Sequence, residues 1–304
     1  MPMKITGTFL DEITYDIPSQ NWGPEEWSTE FETMKRAGID TVIIIRAGLR
    51  DKMIFESEVL RNHRAMLPAY VDLADLFLRL AEKHRMKLFW GTYDTGDWYQ
   101  KPQEAVAVNK DFVGEVWDRY GKREAFAGWY LTFEITRDQP GHADLLLEAS
   151  RQVKRISPDL PTLISPYIAG VKATPDGSSI SLSEHRRDWD QIFGKVRECV
   201  DIVAFQDGHV EFLELADYLK LNVELAEKHG IECWSNVETF DRDMPIKFPP
   251  IDWRKLRYKM EAAETAGVSK LITFEFSHFL SPNSCYPAAH TLFRRYSEFA
   301  GLSW

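Results

Sequence analysis

Eight short runs rich in β-branched and aromatic residues recur along this chain, separated by stretches of helical periodicity, and that alternation limits the possible folds more than any other feature. The runs are KITGTFLDE, TVIIIRAG, KLFWGTYDTGDW, GWYLTFE, TLISPY, DIVAFQD, ECWSNVE and KLITFEF. TVIIIRAG is almost unbroken in its apolar character, as a strand buried on both faces must be. Helices are expected from Pro24 to Gly38, over VDLADLFLRLAEKH, and near Asp111–Tyr120, His142–Ile156, Trp189–Val196, Phe212–His229 and Trp253–Ala266. Strands that alternate with helices pair in parallel, and a count of eight predicts a closed (β/α)8 barrel of the TIM type over an open doubly wound sheet. With 304 residues, 44% of them hydrophobic, the chain is expected to form one such barrel over residues 1–304.

Charge and motif content narrow the function. A formal net charge of -10 argues against a nucleic-acid partner, which would need clustered Lys and Arg. The short basic stretch His185-Arg186-Arg187 reads as a solvated helix start. No apolar run reaches the ~18 residues of a membrane span, and the MPMKITGTFLDE opening has no apolar core typical of an export signal. Three cysteines, Cys199, Cys233 and Cys285, lack metal-binding spacing and are expected as reduced thiols, which favours the cytoplasm. No glycine-rich nucleotide loop follows any strand, and no cofactor is expected.

Barrel catalysts take their reactive groups from the carboxyl ends of several strands. Four acids stand at such ends: Glu134, Asp207, Glu238 and Glu275. Side-chain alternation puts Glu134 with Tyr130 and Thr132, Glu238 with Trp234 and Asn236, and Glu275 with Thr273, each on the face expected to point inward. Arg46 falls in line with Val42 and Ile44. On the sixth strand either Gln206 or Asp207 can face in.

Two carboxyls facing each other across a cleft suit glycoside hydrolysis, with one donating a proton to the leaving oxygen and the other attacking the anomeric carbon or activating water. Glu134 and Glu238 fit these parts, being on strands at opposite sides of a barrel. A separation of about 5–5.5 Å would mean retention and about 6.5–9.5 Å inversion. Flat aromatic rings pack on sugar faces, and Trp22, Trp98 and Trp234 are candidates among ten tryptophans, whereas Trp129 belongs to the outer core. Tyr93, Tyr167 and His278 could bond hydroxyls. The expected partner is therefore a carbohydrate. Two other readings use the same residues: a metal-dependent sugar isomerase or epimerase, with Glu134, Asp207, His209, Glu238 and Glu275 around a cation, and a barrel that binds carbohydrate without catalysis. The loops Leu49–Pro68, Pro140–Gly141, Thr174–Glu184 and Asp241–Pro250 are expected to shape the cleft.

These residues together resemble the large clan of retaining glycoside hydrolases with a TIM barrel, in which the acid/base Glu ends strand four and the nucleophile Glu ends strand seven. The likeness covers the whole chain. GTFLDEITYDIPSQNWGPEEW followed by MKRAGIDTVIIIRAG is similar to the opening of a bacterial domain-of-unknown-function family of glycosidase-like barrels. The resemblance implies Glu134 as acid/base, Glu238 as nucleophile and Arg46 as the strand-two arginine that holds the nucleophile. Phe133 stands where the clan has an Asn, Phe205-Gln206 replaces a strand-six Tyr, and Phe274 and Phe276 lie near the place of a strand-eight Trp. Asn236 and Gln206 are the amides available to replace the missing Asn.

Overall fold

A computed structural model describes residues 2–15, 17–137, 139–173 and 179–303. Eight parallel strands close into a barrel: β1 (Ile5–Leu10), β2 (Thr41–Ile44), β3 (Lys87–Gly91), β4 (Phe126–Leu131), β5 (Thr162–Ile164), β6 (Ile202–Gln206), β7 (Glu232–Asn236) and β8 (Lys270–Thr273). Each strand pairs with its neighbours in sequence and β8 pairs with β1, so no edge is left open. Between and after them run α1 (Pro24–Ala37), α2 (Leu73–His84), α3 (Pro102–Tyr120), α4 (His142–Ile156), α5 (Leu182–Val196), α6 (Phe212–His229), α7 (Trp253–Ala266) and α8 (Pro287–Ala300). The expected barrel is thus present. Helices α3 and α5 begin earlier than their clearest periodicity suggested, and α8 follows the last strand.

Local chemistry sets the helix ends. Pro24 opens α1, where its missing N–H costs nothing, and Gly38 closes it at φ 90, a left-handed conformation that other residues rarely adopt. Asp72 caps α2 by accepting from Asp75 N, and Ser181 and Glu184 form a reciprocal capping box on α5. That early start puts His185 on the inner face of α5, fully buried and bonded to Asn222 at 2.7 Å, so only Arg186 and Arg187 fit the expected solvated start.

Strand alternation divides the core into two layers. Phe9, Ile43, Phe89, Tyr130, Leu163 and Ile272 are among the side chains filling the barrel interior. The opposite faces, including Val42, Trp90, Trp129 and Phe205, pack with the helices into the larger outer core. Trp129 donates to Ser157 Oγ at 2.8 Å, as an outer-layer indole with a polar partner should. The expected parity holds on β4 and β7 but is inverted on β8, where Ile272 and Phe274 point inward. Glu275 turns away, is fully buried, and caps the short helix Phe276–Phe279 through the Ser277 and His278 amides. On β2 it is Ile43 and Ile45 that face the interior, and Arg46 reaches the mouth only because the regular strand stops at Ile44. A three-stranded sheet of Gly48–Leu49, Lys52–Met53 and Tyr93–Asp94 continues beyond β2 and β3 and fixes this region.

The Glu275 carboxylate also pairs with the His278 ring, whose other nitrogen bonds the Pro18 carbonyl at 2.8 Å. Burial alone would depress the imidazole, but Glu275 outweighs it and raises His278 from 6.5 to about 9. A group raised on folding contributes stability that is complete below the unfolded value and lost as pH rises through the folded one. We therefore expect thermal stability to fall between pH 6.5 and about 9, and His278→Asn to flatten that dependence. An unchanged slope in His278→Asn, measured by thermal unfolding across this range, would refute the assignment.

Candidate active site

At the carboxyl ends of the strands a cavity of about 410 Å3 opens, within the size range of small-ligand sites. Glu134 and Glu238 both line it, so the sequence-expected pair does share one cleft.

Glu134 follows β4, whose upper end is tied to that of β3 by a bond between Thr132 and Thr92 at 3.0 Å. Arg46 donates to Glu134 Oε1 at 3.1 Å and to Asp94 Oδ2 at 3.0 Å. Asp94 in turn accepts from Gly96 N at 2.8 Å. The Glu134 side chain remains 30% exposed to the cleft, whereas Arg46 is 12% exposed. Removal from bulk water raises the Glu134 carboxyl above its usual range; Arg46 opposes that rise and Asp94 adds to it. The same neighbours hold the Arg46 guanidinium above its ordinary value despite its burial.

Glu238 is held differently. It follows β7, is 1% exposed, and receives both arms of the Arg242 guanidinium, Nε to Oε2 at 2.9 Å and Nη2 to Oε1 at 2.7 Å. Its backbone is fixed from behind. Asp207 Oδ1 accepts from Glu238 N at 3.1 Å, and Lys259 donates to Asp207 Oδ1 at 2.7 Å and to the Glu238 carbonyl at 3.2 Å. Burial would raise this carboxyl, but Arg242, with help from Lys259, brings it below the ordinary value. Gly208 leaves the space: a Cβ there would lie 1.6 Å from Glu238 Oε2. Arg242 lies 4.8 Å from the Phe240 ring centre and 5.4 Å from that of Phe248, so aromatic faces flank its charge.

Around the pair, Tyr130 and Tyr167 bring phenols to the cavity, both raised by burial and then by Glu134. Tyr167 packs on His209 at 4.8 Å between centres, and burial followed by the Arg242 charge lowers that imidazole to about 4, leaving it neutral. Gln206 is the inward member of β6, its amide N–H committed to Ser165 O at 2.7 Å. Asn236 spends its amide on Ser165 Oγ and Phe274 N. Trp98 also lines the cavity, its ring 5.6 Å from that of Phe133.

Six other expected site residues lie elsewhere. Trp22 packs on Trp27 at 5.1 Å between ring centres, as part of the outer core. Tyr93 is fully buried and gives its hydroxyl to Arg50 O. Trp234 fills the barrel interior and bonds Glu232, its strand's first residue, so it points below the mouth. Asp207 stands behind Glu238, and Glu275 and His278 pair under the Pro18 carbonyl. Nor does Arg46 hold Glu238; it pairs with Glu134 and Asp94, and Arg242 takes the expected role. The expected metal nest loses Asp207 and Glu275 in this way while Glu134, His209 and Glu238 stay at the cavity, and among the described residues no group of three or more His, Cys, Asp or Glu could hold a metal ion. Of the expected cleft loops, Leu49, Arg50, Arg242 and Phe248 reach the cavity, and positions 174–178 lie outside the described residues. Asp94 was visible within the KLFWGTYDTGDW loop, but nothing periodic marks Arg242, because an i,i+4 pair in a loop carries no pattern.

The chain belongs to the family "Domain of unknown function (DUF4434)", whose profile matches residues 5–286. It is 47% identical to a Bacteroides thetaiotaomicron protein described as a candidate alpha-L-fucosidase, covering 99% of this chain and 96% of that one at a TM-score of 0.96. The endo-1,4-beta-D-mannanase of Thermotoga petrophila shares 13% identity over 100% of both chains, with a TM-score of 0.59. The intracellular xylanase TsXylA of Thermoanaerobacterium saccharolyticum shares 12% over 90% of this chain and 85% of its own, with a TM-score of 0.53. No curated protein matches. The barrel is therefore a glycosidase-like fold. Among the described residues no helix is long and apolar enough to cross a membrane.

Lys259 and Asp207 are 8% and 1% exposed, so losing one strands the other's charge. Lys259→Met should cost about 3–5 kcal/mol in chemical denaturation at neutral pH, and adding Asp207→Asn should recover most of it. Equal losses in the single and double variants would mean that the pair is not the cause.

Proposed function

We propose that this protein is a glycoside hydrolase in which Glu134 is the acid/base and Glu238 the nucleophile of a retaining reaction. One observation carries the reading: two carboxyls in one cavity are pushed in opposite directions, Glu134 up and Glu238 down. A proton donor must keep its proton near neutral pH and an attacking carboxylate must have lost it, and the divergence supports Glu134 in the first part and Glu238 in the second. Glu134 protonates the glycosidic oxygen as the bond breaks, and Glu238 attacks the anomeric carbon. Water, deprotonated by Glu134, then releases the sugar. Trp98 supplies a flat apolar face, while Tyr130, Tyr167 and Gln206 offer hydroxyl partners. The Bacteroides relative makes an aryl alpha-L-fucoside the first substrate to try.

With a substrate that is turned over, Glu238→Gln should abolish activity. Glu134→Gln should lower kcat/KM about 10²–10⁴-fold for a poor leaving group, and much less for an activated aryl leaving group that needs no proton. Product stereochemistry followed by NMR should show retention. Wild-type turnover within a few-fold of Glu238→Gln would reject the nucleophile, and carbohydrate binding without turnover of any glycoside would select the non-catalytic barrel.

The pH profile is a separate check. kcat/KM should be bell-shaped, with its acid limb set by Glu238 and its alkaline limb by Glu134, as macroscopic values of a coupled pair. Removing the positive charge in Arg242→Met should move the acid limb upward by about 1–3 pH units. An acid limb that stays in place would show that Arg242 does not keep Glu238 ionised.

A further inference from the structure

Three guanidinium groups line the cavity, those of Arg46, Arg50 and Arg242. Two are consumed internally, Arg46 by Asp94 and Glu134 and Arg242 by Glu238. Arg50 is exposed and, among the described residues, forms no ion pair. The nearby cavity acid, Asp94, is turned to Arg46 through one oxygen and to Gly96 N through the other.

Arg50 is nonetheless held in a defined seat. Its amide donates to Asp94 O at 2.9 Å and its carbonyl accepts the Tyr93 hydroxyl at 2.8 Å, which pins a left-handed backbone at φ 53. Its side chain crosses Gly96, where an added Cβ would meet Arg50 Cγ and Nε at 2.6 Å. The guanidinium then lies 4.2 Å from the centre of the Tyr15 ring, another cavity-lining residue. A cation ordered on an aromatic face keeps its in-plane N–H fork for a ligand.

The charge balance points the same way. With Glu134 protonated as the proposed acid and His209 neutral, the cavity holds Arg46, Arg50 and Arg242 against Asp94 and Glu238, one positive charge in excess. The whole chain carries -10, so this local excess runs against its overall field. A neutral sugar gives it no counter-charge.

We propose that the site selects a glycan bearing an anionic substituent, a sugar carboxylate or sulfate, and that the Arg50 guanidinium binds it at the cavity rim. This specificity rests on the hydrolase reading for the charge count, which takes Glu134 as protonated, and for its consequence in turnover, but the seating of Arg50 does not depend on it. Two planar N–H groups match two oxygens of either anion, so geometry favours a bidentate contact.

The test is calorimetric binding to the wild-type protein of four probe pairs: methyl glucuronide and methyl galacturonide, each against its own methyl ester, and fucose 2-sulfate and fucose 4-sulfate, each against fucose. At least one anionic probe should bind about tenfold or more tightly than its uncharged counterpart, as a charge-assisted contact implies. Arg50→Gln should abolish that preference while leaving affinity for the neutral partner within about twofold. Added salt should weaken it, because the rim is open to solvent. A preference confined to the uronate pairs or to the sulfate pairs identifies the anion. Equal binding of charged and neutral probes, or a preference that survives Arg50→Gln, overturns the proposal. Turnover separates the two readings: an Arg50-dependent preference without hydrolysis by the wild type removes only the hydrolase, and hydrolysis of neutral glycosides without such a preference removes only the anion specificity.

Discussion

The mouth of this barrel depends on compensation of the buried Glu238 charge. An ionised carboxylate at 1% exposure is tolerated only where charged donors replace water, and the bidentate Arg242 fork does so for both oxygens. Beneath it, Asp207 and Lys259 repeat the solution one layer deeper, and they bond the Glu238 backbone rather than its side chain. Carboxylate position is thus set twice, by the main chain below and the guanidinium above. Gly208 is the steric consequence, for no other residue leaves room beside Glu238 Oε2.

Across the cavity the balance is struck the other way. Arg46 divides its charge between Asp94 and Glu134, so each acid receives less than the full counter-ion that Glu238 has. Desolvation then prevails at Glu134, and Asp94 adds to it. One arginine shared by two acids, facing one arginine forked onto a single acid with Lys259 behind it, pushes the two carboxyls apart even though Glu238 is the more deeply buried.

The barrel was readable in the sequence because its cause is periodic: apolar strands at regular intervals, with inward and outward faces alternating by two. Glu134 and Glu238 were readable for the same reason, since the alternation of β4 and β7 runs on past their last residues, Leu131 and Asn236, to the acids at the cavity. Glu275 was misplaced because the inward face of β8 is the apolar one, Ile272 and Phe274, so the same alternation carried on turns the acid away to cap the next turn. Arg46 was rightly sent to the mouth, yet its partner was not legible, because the choice between Glu134 and Glu238 depends on the small sheet that brings Asp94 alongside. Arg242 and Arg50 sit in loops whose course no local pattern encodes, and the aromatic abundance did not distinguish Trp98 at the cavity from Trp234 in the interior.

A carboxylate gripped at both oxygens looks a poor nucleophile, but each oxygen has two lone pairs and the fork uses one of each. On the proposed reaction path, attack through a remaining lone pair removes the negative charge of Glu238 and leaves Arg242 without its counter-ion. Both changes act on Glu134. The Glu238 charge raises the Glu134 carboxyl and the Arg242 charge lowers it, so forming the covalent bond deletes the first influence and exposes the second. Glu134 therefore becomes more acidic after giving up its proton, which suits the base that the second step requires. The arginine that keeps the nucleophile ionised at rest would in this way also help to switch the opposite residue from acid to base.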